Sequence, residues 1–112
     1  MKTETDIPPI TLNPRDWSEV QLILKRYVPE YTVWVFGSRA TGTAKPYSDL
    51  DLAILTDQPL SMERMATIKD AFDESDLPIR VDVVDWAVTS ASFREIIKQN
   101  YVVVQQGTVV RQ

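Results

Sequence analysis

Apolar residues recur along this chain in two rhythms. Trp17, Val20, Leu24 and Tyr27 follow helical spacing and make one stripe. Asn13-Pro14 marks where that helix starts, with Asn as N-cap, Pro at the first helical position and Asp16 in the first turn; Pro29 closes it. Thr32 to Phe36 turns β-branched and aromatic, the signature of a short buried strand. Arg39 to Gly42 reads as one helical turn, Thr43 to Tyr47 as a loop, and Asp49 to Thr56 as a second strand. After the turn Asp57-Gln58-Pro59, Ser61 caps a helix running to about Glu74, with Met65, Ile68 and Phe72 inward. Ile79 to Val84 is a third strand. Ser90 or Ser92 caps a last helix, and Ser92 with Glu95 has capping-box spacing. Phe93, Ile96, Ile97 and Tyr101 are its expected inward residues, and Val102 to Val104 is either a final strand or the helix's end. The order predicts an α/β (α+β) sandwich in which helices flank a small mixed sheet. Its domain spans residues 13–106, between a flexible arm (1–12) and a tail (107–112).

Composition narrows the chemistry. The 112 residues suffice for one compact domain, and a hydrophobic fraction of 44% is ordinary for a globular core. With no cysteine and no histidine, thiolate zinc sites, cysteine nucleophiles and histidine-based triads are excluded. No apolar run is long enough to span a membrane and the N-terminus lacks a signal-peptide core, so a cytoplasmic protein is expected. A net charge of −4 without a long basic stripe argues against stable DNA binding.

The candidate chemistry lies between Val33 and Leu55. Strand residues alternate between faces, so Asp49 and Asp51 project together, with Leu50 and Leu52 on the other side. Paired carboxylates repel unless a cation lies between them, and oxygen ligands without His or Cys suit Mg²⁺. Just upstream, Gly37 follows the first strand directly. Its turn brings backbone N–H groups toward phosphate oxygens, and the Ser38 hydroxyl adds a donor. Arg39 and Lys45 either touch phosphates or remain surface charges. Together these features fit a nucleoside triphosphate with its metal.

The run Gly37-Ser38-Arg39-Ala40-Thr41-Gly42, followed by Ser48-Asp49-Leu50-Asp51-Leu52, resembles the nucleotidyltransferase signature of the polymerase beta superfamily. Within that superfamily the chain is similar to the minimal nucleotidyltransferases (MNT), over roughly residues 17–106. The resemblance implies a polymerase beta-like core, two Mg²⁺ ions and ATP as substrate. It also implies a third carboxylate on a nearby strand. Asp82, a charge inside the apolar run Val81–Val84, matches that position. Asp85, of opposite parity, is its rival, and an ion pair of Asp82 with Arg39 or Arg80 is the competing reading. Trp17, Trp34 and Trp86 are read as core or interface residues, and Trp86, which shares the parity of Asp82, has the site's edge as its alternative.

On this reading Asp49, Asp51 and Asp82 hold the metals, Gly37 and Ser38 bind phosphates, and AMP passes to a hydroxyl with release of pyrophosphate. Larger relatives carry a further domain for the acceptor, so a partner chain or self-association is expected to supply it here. The resemblance implies a helical HEPN toxin, modified on a tyrosine, with this chain as antitoxin. Transfer to a small molecule and neutralisation by contact alone are the alternatives.

Overall fold

A computed structural model describes residues 7–108. Helix α1 (Pro14–Tyr27) begins as its sequence dictates: the Asn13 side chain accepts a 2.8 Å hydrogen bond from the Asp16 amide, and Pro14 opens the first turn. Strand β1 (Thr32–Phe36) follows, then the single-turn helix α2 (Ser38–Thr41) and strand β2 (Leu50–Leu55). Helix α3 (Met62–Asp73) is capped by Ser61. Strand β3 (Val81–Asp85) runs into a 3₁₀ turn (Trp86–Val88), and helix α4 (Ala91–Gln99) and strand β4 (Tyr101–Gln105) complete the described chain.

The sheet is mixed, in the order β3-β2-β1-β4. β1 pairs antiparallel with both β2 and β4, whereas β2 and β3 run parallel. Alternation divides the strands between two faces. On one face Val33, Val35, Leu50, Leu52, Ile54 and Val83 pack under α1 and α3, against Trp17, Val20, Leu24, Ile68 and Phe72. The other face carries a smaller cluster of Phe36 and Ala53 with Ile97 of α4, joined by Trp34, Leu55, Val84 and Trp86. One face is thus fully roofed and the other only in part.

This packing decides between open alternatives and corrects other expectations. The last helix is capped by Ser90, which accepts from the Phe93 amide, and not through a Ser92–Glu95 box. Of its four expected inward residues only Ile97 is buried, and Ile96 is 60% exposed. The helix is short and meets the sheet along a narrow line, so its other apolar residues are left at the surface. Val102 to Val104 belong to a true strand, whose partner β1 lies far upstream. Trp86 stands edge-on to Trp34 at a ring distance of 5.3 Å, beside Thr32 and Leu55, at the opposite end of the sheet from Asp51 and Asp82.

The expected arm is described from Ile7 onward, and there Ile7, Ile10 and Leu12 pack against the core. Residues 1–6, like 109–112 of the tail, lie outside the described chain. None of the described helices is long and apolar enough to cross a membrane.

Candidate functional site

The site is assembled where β1 ends and β2 and β3 begin. Phe36 is the register partner of Asp51, and Asp51 is the partner of Asp82 across the parallel pair. Asp51 shares its face with Ala53, and Asp82 shares its face with Val84, so both carboxylates point to the partly roofed side. Asp49 lies one residue before β2, at the end of the loop that leads into it. Gly37, directly after Phe36, adopts φ 76° and ψ −157°, a region that side chains with a Cβ rarely enter. A Cβ built there would collide with the Asp51 carboxylate. Ser38 then opens α2, whose first amides have no partner within the helix.

These residues border a cleft of about 650 Å³. Gly37, Ser38, Asp51 and Asp82 line it, together with the hydroxyl residues Thr41 and Thr43. Their hydroxyls are 3.0 Å apart. The opposite wall is α4, through Phe93, Ile96 and Asn100. Sequence reasoning missed this wall because it assigned Phe93 and Ile96 to the core. Their exposure beside a polar cleft is a product of tertiary packing and leaves no local signal. Thr41 and Thr43, inside the glycine-flanked run after Ser38, were the findable omission.

The remaining candidates sit elsewhere. Lys45 is exposed on the loop before β2. Arg39 is 5% exposed, and main-chain carbonyls occupy its guanidinium. Its Nη1 donates to Thr11 (2.6 Å), while Nη2 and Nε donate to Ser48 (2.8 and 3.2 Å). The expected contact of Arg39 with phosphate is replaced by this internal role, because a buried guanidinium must find acceptors and the loop supplies them.

Asp85, the rival third carboxylate, is 6% exposed and also committed internally. It accepts from the amides of Leu60 (2.7 Å) and Ala87 (3.2 Å) and from the Thr56 hydroxyl. Asp82 pairs with the exposed Arg80 at 3.3 Å, so the ion pair weighed against metal binding is present.

Burial, reinforced by the neighbouring charges of Asp82 and Asp49, pushes the Asp51 carboxyl up to about 6. A divalent cation between these groups would reverse that cost. Among the described residues no three ligating side chains converge as placed. The donor set nonetheless fits: hard carboxylates stand on adjacent strands as register partners, and the exposed Arg80–Asp82 ion pair is of a kind contributing about 0–1 kcal/mol.

The raised value has a consequence for stability. An acid whose pKa is higher in the folded than in the unfolded state destabilises the fold once it ionises. The cost is absent below about pH 4, grows as pH rises through 6, and is complete above it. At about 1.36 kcal/mol per pH unit, and discounted for solvent screening, it amounts to about 1–2 kcal/mol. Asp51→Asn is therefore expected to exceed the wild type by that amount at pH 7.5 in chelator and to lose its advantage below pH 4, as read by urea unfolding. Added Mg²⁺ should erase the difference at pH 7.5. An Asp51→Asn curve parallel to the wild type at every pH would show that the carboxyl is unstrained.

The nucleotidyltransferase domain family matches residues 18–107. The chain is 51% identical over 102 residues to the probable protein adenylyltransferase MntA of Haemophilus influenzae, covering 91% of this chain and 90% of that protein. Its fold is similar to that of a toxin–antitoxin crystallised with AMP-PNP (TM-score 0.68, 22% identity, 82% of this chain and 74% of the other). It is also similar to a chain in the complex of a tri-AMPylated HEPN toxin with an MNT antitoxin from Shewanella oneidensis (TM-score 0.56, 20% identity, 82% and 71%). A Gly-Ser turn set against a cross-strand aspartate pair, on a chain matched from α1 to the end of its last strand, makes this protein a member of the nucleotidyltransferase family, of the MntA kind.

Proposed function

We propose that this protein transfers AMP from ATP to a tyrosine hydroxyl of a HEPN-type toxin, with Mg²⁺, and thereby acts as its antitoxin. The observation that carries the reading is the Asp51–Asp82 pair beside Gly37 and Ser38 at the mouth of the cleft. The similarity to MntA directs the transfer toward a protein acceptor.

Asp49, Asp51 and Asp82 would hold the cations, after Asp82 turns from Arg80. Bound Mg²⁺ supplies charge neutralisation on the triphosphate and lowers the pKa of the attacking hydroxyl. The chain itself orients the reactants. The amides of the Gly37–Ser38 turn and the Ser38 hydroxyl receive the β- and γ-phosphates, which puts the α-phosphorus before the aspartates. The tyrosine oxygen bonds to that phosphorus, the bond to the β-phosphate oxygen breaks, and pyrophosphate leaves. Asp82 helps to take up the tyrosine proton. The apolar wall of Phe93 and Ile96 suits an aromatic acceptor entering from the solvent side.

The test is label transfer from α-phosphate-labelled ATP to the product of the neighbouring gene. Label is expected on a tyrosine of that protein with Mg²⁺ and the wild type, and to be absent with chelator or with Asp49→Asn. A tight complex without label would leave neutralisation by contact. Label on a small hydroxylated molecule instead would move the acceptor off the protein.

A further inference from the structure

Arg39 is buried where three segments meet: the start of α2, the loop nine residues on that delivers Asp49, and the more remote N-terminal segment before α1. Its main chain joins the first, since the Thr11 amide donates to the Arg39 carbonyl at 2.8 Å. Its side chain returns the contact by donating to the Thr11 carbonyl. The same guanidinium forks onto one carbonyl of the loop, that of Ser48, through Nη2 and Nε. Longer contacts reach Pro46 (3.3 Å) and Lys45 (3.4 Å).

The Ser48 carbonyl belongs to the peptide unit that ends at the Asp49 nitrogen. A peptide plane is rigid, so orienting that oxygen also orients the bond from which Asp49 departs. The loop closes on itself by local contacts. The Ser48 amide donates to the Lys45 carbonyl at 3.0 Å, and the Lys45 amide to the Ser48 hydroxyl at 2.9 Å. These bonds shape the turn itself. Main-chain bonds fasten its two ends, from the Thr43 amide to the Ser38 carbonyl (3.1 Å) and from the Leu50 amide to the Arg80 carbonyl (2.9 Å). The Arg39 side chain fastens the stretch between them, at Lys45, Pro46 and Ser48, to the residue just beyond the Gly37–Ser38 turn.

We propose that Arg39 is a positioning residue that locks the Asp49 end of the loop to the phosphate turn, with the N-terminal segment as its anchor. The proposal rests on Asp49 acting in the site described above. The planar guanidinium holds the carbonyls of Ser48 and Thr11 in fixed directions at once, a geometry that a lysine ammonium on a flexible stem does not reproduce. Arg39→Lys is therefore the informative variant, because it keeps the charge and most of the volume.

Arg64 provides the control. It is half-buried where Arg39 is buried, but it also holds main chain, donating to the Tyr27 carbonyl at 3.0 Å and pairing with Glu30 at 2.6 Å, on α3. Both Arg→Lys variants of the full chain would be examined at a temperature where each is folded, by Mn²⁺ binding followed by electron paramagnetic resonance and by amide exchange. Arg39→Lys is expected to weaken Mn²⁺ at least 10-fold and to speed exchange at the Ser48 and Leu50 amides at least 10-fold. Arg64→Lys should leave both within 2-fold. Equal effects of the two variants, or Arg39→Lys within 2-fold of the wild type, would overturn the proposal. If the wild type itself fails to bind Mn²⁺, the metal reading of the aspartates falls, and the exchange rates alone decide the role of Arg39.

Discussion

Asp82→Asn is expected to lower AMP transfer by about 10²–10⁴-fold while leaving the fold intact, and Asp85→Ala to unsettle the fold. The two residues sit on one strand, three positions apart, and their surroundings separate them. Asp82 faces the cleft and pairs there with the exposed Arg80. Losing that pair costs about 0–1 kcal/mol and relieves repulsion at Asp51, so the variant's midpoint in thermal unfolding should stay close to the wild type. Losing a cation ligand removes several kcal/mol of charge stabilisation from the reaction, which sets the rate effect. Asp85, by contrast, gathers two amides and a hydroxyl inside the protein. Truncating it strands those donors, at about 3–5 kcal/mol for the set. A melting point lower by more than about 10 °C is expected. A stable Asp85→Ala protein without activity, beside an active Asp82→Asn protein, would exchange their roles.

Gly37→Ala is expected to lose about 2–4 kcal/mol of stability and at least about 10²-fold in transfer. Two independent causes act together. The backbone at φ 76°, ψ −157° is strained for any residue with a Cβ, and that Cβ would press into the Asp51 carboxylate. Relief must come from moving the turn or the aspartate, and both belong to the site. Gly42 is the control. It also has positive φ, 82°, but in the left-handed helical region that caps α2, and a Cβ there meets nothing within 4 Å. Gly42→Ala should cost only about 1 kcal/mol and keep most of the activity. Unfolding curves and initial rates on the two variants measure the contrast. Equal losses in both would mean that the Gly37 turn matters for its backbone alone and not for its closeness to Asp51.

The sheet explains why a single methyl group has such reach. Phe36 and Asp51 are register partners, so the residue after Phe36 lies beside the Asp51 side chain. The turn that receives phosphate and the carboxylates that receive cations are thus adjacent. In sequence they are separated by the loop that Arg39 holds in place.

Much of this was legible in the linear chain, because its determinants are local. Asn13-Pro14 names its own helix start, Ser61 its own cap, and strand alternation turns Asp51 away from Leu50 and Leu52, whereas Asp49 falls one residue before the strand. The glycine after β1 announced a backbone that only glycine adopts readily, and the absence of histidine and cysteine narrowed the chemistry before any fold was known. What only the tertiary structure decided were relations between distant segments. Opposite parity separated Asp82 from Asp85, but the donors gathered by Asp85 come from residues 56, 60 and 87, and no spacing encodes them. The same holds for Arg39, whose charge reads as a phosphate ligand or a surface charge until the carbonyls of Thr11 and Ser48 close around it. Phe93 and Ile96 keep a helical stripe's periodicity, yet α4 covers too little of the sheet to bury them, and they wall the cleft instead. Local backbone preferences and strand parity act within a few residues and are written in order along the chain. Burial and hydrogen-bond partners depend on which surfaces meet, and these emerge only when the sheet is assembled.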